Sequence, residues 1–222
     1  TSPPGKRVPF TGVRKAIAEA ISSSQRDAAE VTLTAEVDCS QLVETRKSGE
    51  KQGAAKVSYN ALMIHVVASG LKQFPSMNAR LVENAIVQLE EINVGLAVEA
   101  EQGLVVPVVH GADRLTVEQI QERIQELVDK VQNRSATQDD FRGGTFTVTN
   151  LGAYGIDAFT PIINPGQTAI LGVGRIAERA VVQDGSVEVR PTCVLSLTFD
   201  HRLVDGAPAA KFLKALKDSI ES

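Results

Sequence analysis

The 222-residue chain is 43% hydrophobic, enough to bury one sizeable core, and its 23 basic and 27 acidic residues leave a net charge of −4. No lysine- or arginine-rich block marks a nucleic-acid surface, and no apolar run approaches the ~20 residues that span a bilayer. The N-terminus lacks the basic-then-apolar order of a signal peptide, so the expected compartment is the cytoplasm, or the mitochondrial matrix after processing.

Residues 1–7, TSPPGKR, read as the end of a flexible linker, leaving 8–222 as a single domain. A helix is predicted from Thr11, its N-cap, with Val13, Ile17, Ala20 and Ile21 on one face. VTLTAEVD alternates as a strand does, with Val31, Leu33, Ala35 and Val37 on its buried side. Cys39 and Cys193, the only cysteines, are too few for a disulfide framework and lack zinc-ligand spacing; both read as small core residues. A buried helix should start at Ser58 and stop before Pro75. INVGLAVEA and LVVPVVHG, parted by the turn-like EQG, suggest paired strands, with Pro107 at an edge or bulge.

The clearest helix follows. Thr116 and Gln119 form a capping-box pattern, and Val117, Ile120, Ile124, Leu127, Val128 and Val131 recur at helical spacing. Strand-like TFTVTN and AILGVG come next, then a hairpin turning at Asp184-Gly185. GVGR at 172–175 lacks the full spacing of a dinucleotide-binding glycine motif and reads as a tight strand-end turn. A final helix carries Ala209, Phe212, Leu213, Leu216 and Ile220 on one face. The pattern predicts an α+β domain in which helices pack on a mixed β-sheet.

Three histidines narrow the search for chemistry. His65 sits within an apolar helix and reads as a core histidine, while His110 precedes a turn and reads as solvated. His201 ends a buried strand between Asp200 and Arg202, where a reactive side chain can be held rigidly. Asp205, four residues on, can be a partner of His201 or simply the N-cap of the last helix, with Gly206 allowing a sharp turn into it. No third ligand accompanies the pair, and no metal is expected.

DHRLVDGA at 200–207, GGTFTVTNLG at 143–152 and FTPIINPGQTAILGVG at 159–174 together resemble three hallmark segments of one family. It comprises the dihydrolipoamide acyltransferase cores of 2-oxo acid dehydrogenase complexes. The resemblance runs from about Arg7 through nearly the whole chain and implies a chloramphenicol acetyltransferase-like fold. It implies a homotrimer that transfers an acyl group, most simply acetyl as in pyruvate dehydrogenase complexes, between a lipoyl thiol and coenzyme A. The lipoyl group is expected on a separate domain, and the dehydrogenase and dihydrolipoamide dehydrogenase subunits are the expected partners. His201 falls at the family's general base, Thr149 at the hydroxyl that serves the oxyanion, and Asp205 at a supporting Asp or Asn. The residues that bind the phosphates of coenzyme A are unknown. The chain departs from the family at Ala29-Glu30, where many members carry histidine. It also departs in its polar end, KDSIES, which leaves assembly of trimers into a cage open. Two other functions fit parts of the pattern: acyl transfer to a free small molecule, and a non-catalytic scaffold.

These residue types suit that chemistry. A thiol of pKa ~8.5 attacks poorly until deprotonated, and a neutral imidazole of pKa ~6.5 can accept its proton at a cost of roughly 2.7 kcal/mol. Attack on the thioester puts negative charge on the carbonyl oxygen, where the Thr149 hydroxyl can donate a hydrogen bond.

Overall fold

A seven-stranded mixed sheet organises the computed structural model. Residues 5–7, 9–51, 57–101 and 103–222 are described, with backbone alone for 13 and 49–51. The first four residues of the expected linker lie outside them. Across the sheet the order is β1 (Glu30–Asp38), β11 (Ser186–Asp200), β9 (Ala169–Val173), β8 (Phe146–Asn150), β4 (Val94–Leu96) and β7 (Val108–Val109). β10 (Ala177–Gln183) pairs with the first half of β11. β4, β8 and β9 run parallel, and the other pairs are antiparallel.

The strands' alternation gives the sheet two unlike faces. One register row joins Val148, Leu171, Leu197 and Leu33; the next joins Thr149, Gly172, Ser196 and Thr34. Because successive side chains point oppositely, the first row faces the apolar core and the second faces away from it. Helices α3 (Tyr59–Gln73), α4 (Val117–Gln132) and α5 (Gly206–Glu221) cover the apolar face.

These helices begin where the sequence predicts. Ser58 Oγ accepts from the Ala61 N–H (3.2 Å), starting α3. Both halves of the capping box form at α4, Gln119 N–H to Thr116 Oγ1 (3.3 Å) and Thr116 N–H to Gln119 Oε1 (2.9 Å). All five predicted apolar residues of α5 are buried. Phe212 stands edge-on to Phe74 and Phe146, with ring centroids 5.8 and 5.9 Å away. α3 and α5 cross closely at Gly70, where a Cβ would come within 2.7 Å of Leu216 Cδ2. The hairpin between β10 and β11 turns at Asp184 (φ 49°) and Gly185 (φ 83°), both in the left-handed region a tight two-residue hairpin requires.

Several expectations need correction. The predicted strand pair near Pro107 splits in two: β4 pairs β7 within the main sheet, while β5 (Val98–Ala100) and β6 (Gly103–Val105) form a separate two-stranded tip. The break falls at Ala97 and at Val106-Pro107, the imino acid having no N–H to give a ladder. Gln102, in the expected turn, lies outside the described residues.

Helix α1 (Gly12–Asp27) forms, but Thr11 makes no side-chain cap, Ala20 is exposed, and Ile17 and Ile21 are only half-buried. The side chain of Val13 lies outside the description. In β1 the apolar face is graded, from Val31 at 38% exposure to Val37 at 0%, as befits an edge strand. His65 is half-buried, not a core residue, while His110 is exposed as expected. Cys39 and Cys193 are free, fully buried thiols with sulfurs 3.3 Å apart.

Candidate active site

His201 follows directly on β11, in the turn before α5. Its N–H donates to Ala29 O (2.9 Å), one step past the last β1 to β11 pair, Glu30 with Asp200. The backbone is thus fixed while the side chain stays 45% exposed. Nδ1 lies 3.8 Å from Asp205 Oδ1, close enough for charge to be felt and too far for a hydrogen bond. The ring also rests 5.8 Å from the Phe199 ring, tilted by 34°. Asp205 occupies the N-cap position of α5 without a side-chain cap bond, and its carboxylate is 85% exposed. The expected need for glycine at 206 is not met: Gly206 has no left-handed φ, and a Cβ there would touch nothing within 4 Å.

Asp200 is the buried member of the junction, at 2% exposure. Its carboxylate accepts from the Ala29 N–H (3.2 Å), the Arg202 N–H (3.0 Å) and a two-pronged Arg202 guanidinium (2.7–3.0 Å). Burial pushes this carboxyl up, but the hydrogen bonds from Arg202 and Ala29 outweigh it and hold the group below the usual carboxylate range. A cavity of about 330 Å³ opens beside it, lined by Ser24 and Asp27 of α1 together with Gln167, Asp200 and Arg202.

Thr149 lies in β8, 8% exposed, and its hydroxyl has no hydrogen-bond partner among the described residues. Its neighbours differ: Thr147 Oγ1 donates to Gln167 Oε1 (2.7 Å) and accepts from Asn164 Nδ2 (2.8 Å), and Thr198 shares a hydrogen with Thr32 (2.8 Å). Between Thr149 and Ser196, the glycine at 172 leaves room for the Phe159 ring, which a Cβ would meet at 3.0 Å. Gly174, in the segment read as a turn, is required by close packing. A Cβ there would fall 1.9 Å from Asp157 O.

One chain does not bring Thr149 and His201 together. Thr149 is level with Ser196 two strands away, and His201 is five residues further along β11. At ~4.8 Å per strand and ~3.3 Å per residue, the two are roughly 19 Å apart. A thioester carbon and its attacking thiol need groups within hydrogen-bond reach of one another. Within one copy, then, His201 and Asp205 are close and Thr149 is remote. The sequence placed Asp200 beside His201 but gave it no role, because its burial and its long-range bonds are not legible there. Among the described residues, no three His, Cys, Asp or Glu side chains gather as a metal site would.

Residues 2–222 match the family described as 2-oxoacid dehydrogenases acyltransferase (catalytic domain). Over 219 residues the chain is 40% identical to the dihydrolipoyllysine-residue acetyltransferase component of the Bacillus subtilis (strain 168) pyruvate dehydrogenase complex. That match covers 96% of this chain and 50% of the relative. It is 37% identical over 221 residues to the succinyltransferase component of the Rickettsia felis 2-oxoglutarate dehydrogenase complex, covering 98% of this chain and 55% of that one. The chain therefore spans about half the length of these curated relatives.

Among solved structures, the cubic core of a pyruvate dehydrogenase multienzyme complex superposes with a TM-score of 0.95 at 30% identity, covering 99% of this chain and 92% of that one. So does a dihydrolipoamide acetyltransferase from Azotobacter vinelandii, studied for the roles of a serine, a histidine and an asparagine in its catalytic mechanism. Here the TM-score is 0.95 at 29% identity, with the same 99% and 92% coverage. Chloramphenicol acetyltransferase shares the fold (TM-score 0.54, 14% identity, covering 92% of this chain and 94% of that one).

Proposed function

Because the chain belongs to the catalytic-domain family of the 2-oxoacid dehydrogenase acyltransferases, we propose that it moves an acyl group between a dihydrolipoyl thiol and coenzyme A. The observation that carries this reading is one of spacing. In the Azotobacter acetyltransferase the serine, histidine and asparagine are separated by 52 and then 4 residues, the separations found between Thr149, His201 and Asp205 here. The near-complete superposition supports treating them as equivalent positions.

Neutral His201 accepts the thiol proton, and the thiolate attacks the thioester carbon. Thr149, whose hydroxyl is unengaged among the described residues, donates to the oxyanion as the carbonyl π bond opens. The oxyanion collapses, the carbon–sulfur bond to the leaving thiol breaks, and the imidazolium returns its proton to the departing sulfur. No acyl group is carried on the protein. Asp205 adds negative charge near His201 without holding it by a hydrogen bond.

The roughly 19 Å within one chain supports a complete site built from two copies, His201 from one and Thr149 from its neighbour, in a trimer. Acetyl is the proposed acyl group, and a lipoyl domain with the dehydrogenase components of such a complex the proposed partners. His201→Ala should lower turnover by ~10²–10⁴ with the fold retained. In co-expressed, randomly assorted trimers of His201→Ala with Thr149→Val, one mixed interface per ring is intact, so roughly a quarter of wild-type activity should return. Mixed trimers no better than either parent would refute the shared site. A panel of acetyl-, succinyl- and branched-acyl-coenzyme A with dihydrolipoamide reads out the acyl group.

A further inference from the structure

The opening of α1 into β1 and the turn that bears His201 are joined through one buried carboxylate. Ala29 makes two bonds across this junction: its carbonyl accepts from the His201 N–H and its own N–H donates to Asp200 Oδ1. On the other side, Arg202 closes on the same carboxylate with its backbone N–H and both prongs of its guanidinium. Asp200's backbone is engaged as well. Its N–H donates to Thr168 O, and its carbonyl accepts from the N–H groups of Leu203 and Val204 (2.9–3.1 Å). His201 thus sits between two residues locked by hydrogen bonds, while its imidazole makes none among the described residues.

We propose that Asp200 and Arg202 are positioning residues for His201: their ion pair, a buried carboxylate closed by a partly exposed guanidinium and tied to Ala29, sets where the imidazole stands. The inference rests on the acyl-transfer reading given above and assigns a purpose to the ionisable groups flanking His201. A side chain that makes no hydrogen bond is aimed only by its backbone and its packing, so freedom in the turn passes directly to the imidazole. Displacement of a reacting group by ~1 Å can cost ~10²-fold in rate. Arginine suits this place because its planar fork engages both carboxylate oxygens at once, which a lysine ammonium cannot do.

The experiment uses the full chain. Side-chain NMR at one fixed pH follows the imidazoles of the three histidines, with the His201 signals assigned by their loss in His201→Gln, and steady-state kinetics run in parallel on thermally matched variants. Expected in Asp200→Asn are broadened or doubled His201 signals, with those of His65 and His110 unmoved, and a fall in kcat of ~10–10² with KM nearly unchanged. Folded Asp200→Asn with wild-type kcat, or with a single sharp His201 signal at its wild-type position, would overturn the proposal. If Asp200→Asn does not fold, Arg202→Lys carries the test, since it keeps the charge and loses the fork. It should lower kcat and broaden the His201 signals, and wild-type behaviour there would equally overturn the idea. The NMR measurement needs no acyl substrate. A wild-type chain that transfers no acyl group therefore counts against the proposed function, whereas unmoved His201 signals count against the clamp alone.

Discussion

The two faces of the central sheet are built from the same strands and do different work. On one, Val148, Leu171 and Leu197 lie under α3 and α5 and join Phe146, Phe199 and Phe212 in a continuous apolar core. On the other, Thr147, Thr149, Ser196, Thr198 and Thr32 set hydroxyls side by side. Most of those hydroxyls are satisfied within the chain, Thr147 by Gln167 and Asn164, Thr198 by Thr32. Among the described residues, Thr149 and Ser196 are the exceptions. The contrast teaches that stability is concentrated on the apolar face, where every group has its neighbours, and that the polar face keeps positions whose bonding capacity the fold leaves open, one of which the proposed chemistry uses.

The sharpest way to break this division is to cut into the apolar face. Phe212→Ala removes a fully buried ring that contacts Phe74 and Phe146, and should cost ~3–5 kcal/mol in urea unfolding, with activity per folded molecule retained. If unfolding is little changed and activity collapses, the division between the faces fails. On the polar face, Thr149→Val keeps the shape and removes the donor. Turnover should fall ~10²–10³, or ~2.7–4 kcal/mol of transition-state stabilisation, with little change in KM or in melting temperature, and Thr149→Ser should retain activity. A valine variant that raised only KM would make the hydroxyl a binding group.

A smaller effect sharpens the comparison at the edge where the two faces meet the turn. Asp200 has its pKa lowered in the folded chain, so its contribution to stability is fully present above the ordinary carboxylate value of ~3.9 and is lost as pH falls through the lowered folded value. Urea midpoints should therefore decline from pH 5 towards pH 2, and decline less steeply in Asp200→Asn. An identical acid slope in the variant would remove Asp200 from that account.

Local chemistry decided much of this molecule before any packing was known. The capping box at Thr116 and Gln119, the Ser58 cap, the apolar stripe of α5 and the Asp184-Gly185 turn each depend on residues a few positions apart, and each formed where the sequence predicts. Other elements carried too weak a local signal. α2 (Ser40–Lys51) has only Leu42 and Val43 as apolar residues among charges. The hairpin of β2 (Ala79–Val82) and β3 (Ala85–Gln88) turns with Glu83 in the left-handed region (φ 54°), a conformation usually announced by glycine or asparagine. The resemblance of DHRLVDGA and TFTVTN to a family named His201, Thr149 and Asp205, but not their distances. Only the register of four strands decided that Thr149 and His201 stand at separate places in one chain, and only the packing of the turn decided that Asp205 stops short of a hydrogen bond and that Asp200 is buried and bonded. The reason is physical: a cap or a turn is closed by neighbours in sequence, whereas a strand's partners lie up to 170 residues away and are chosen by burial of the whole sheet.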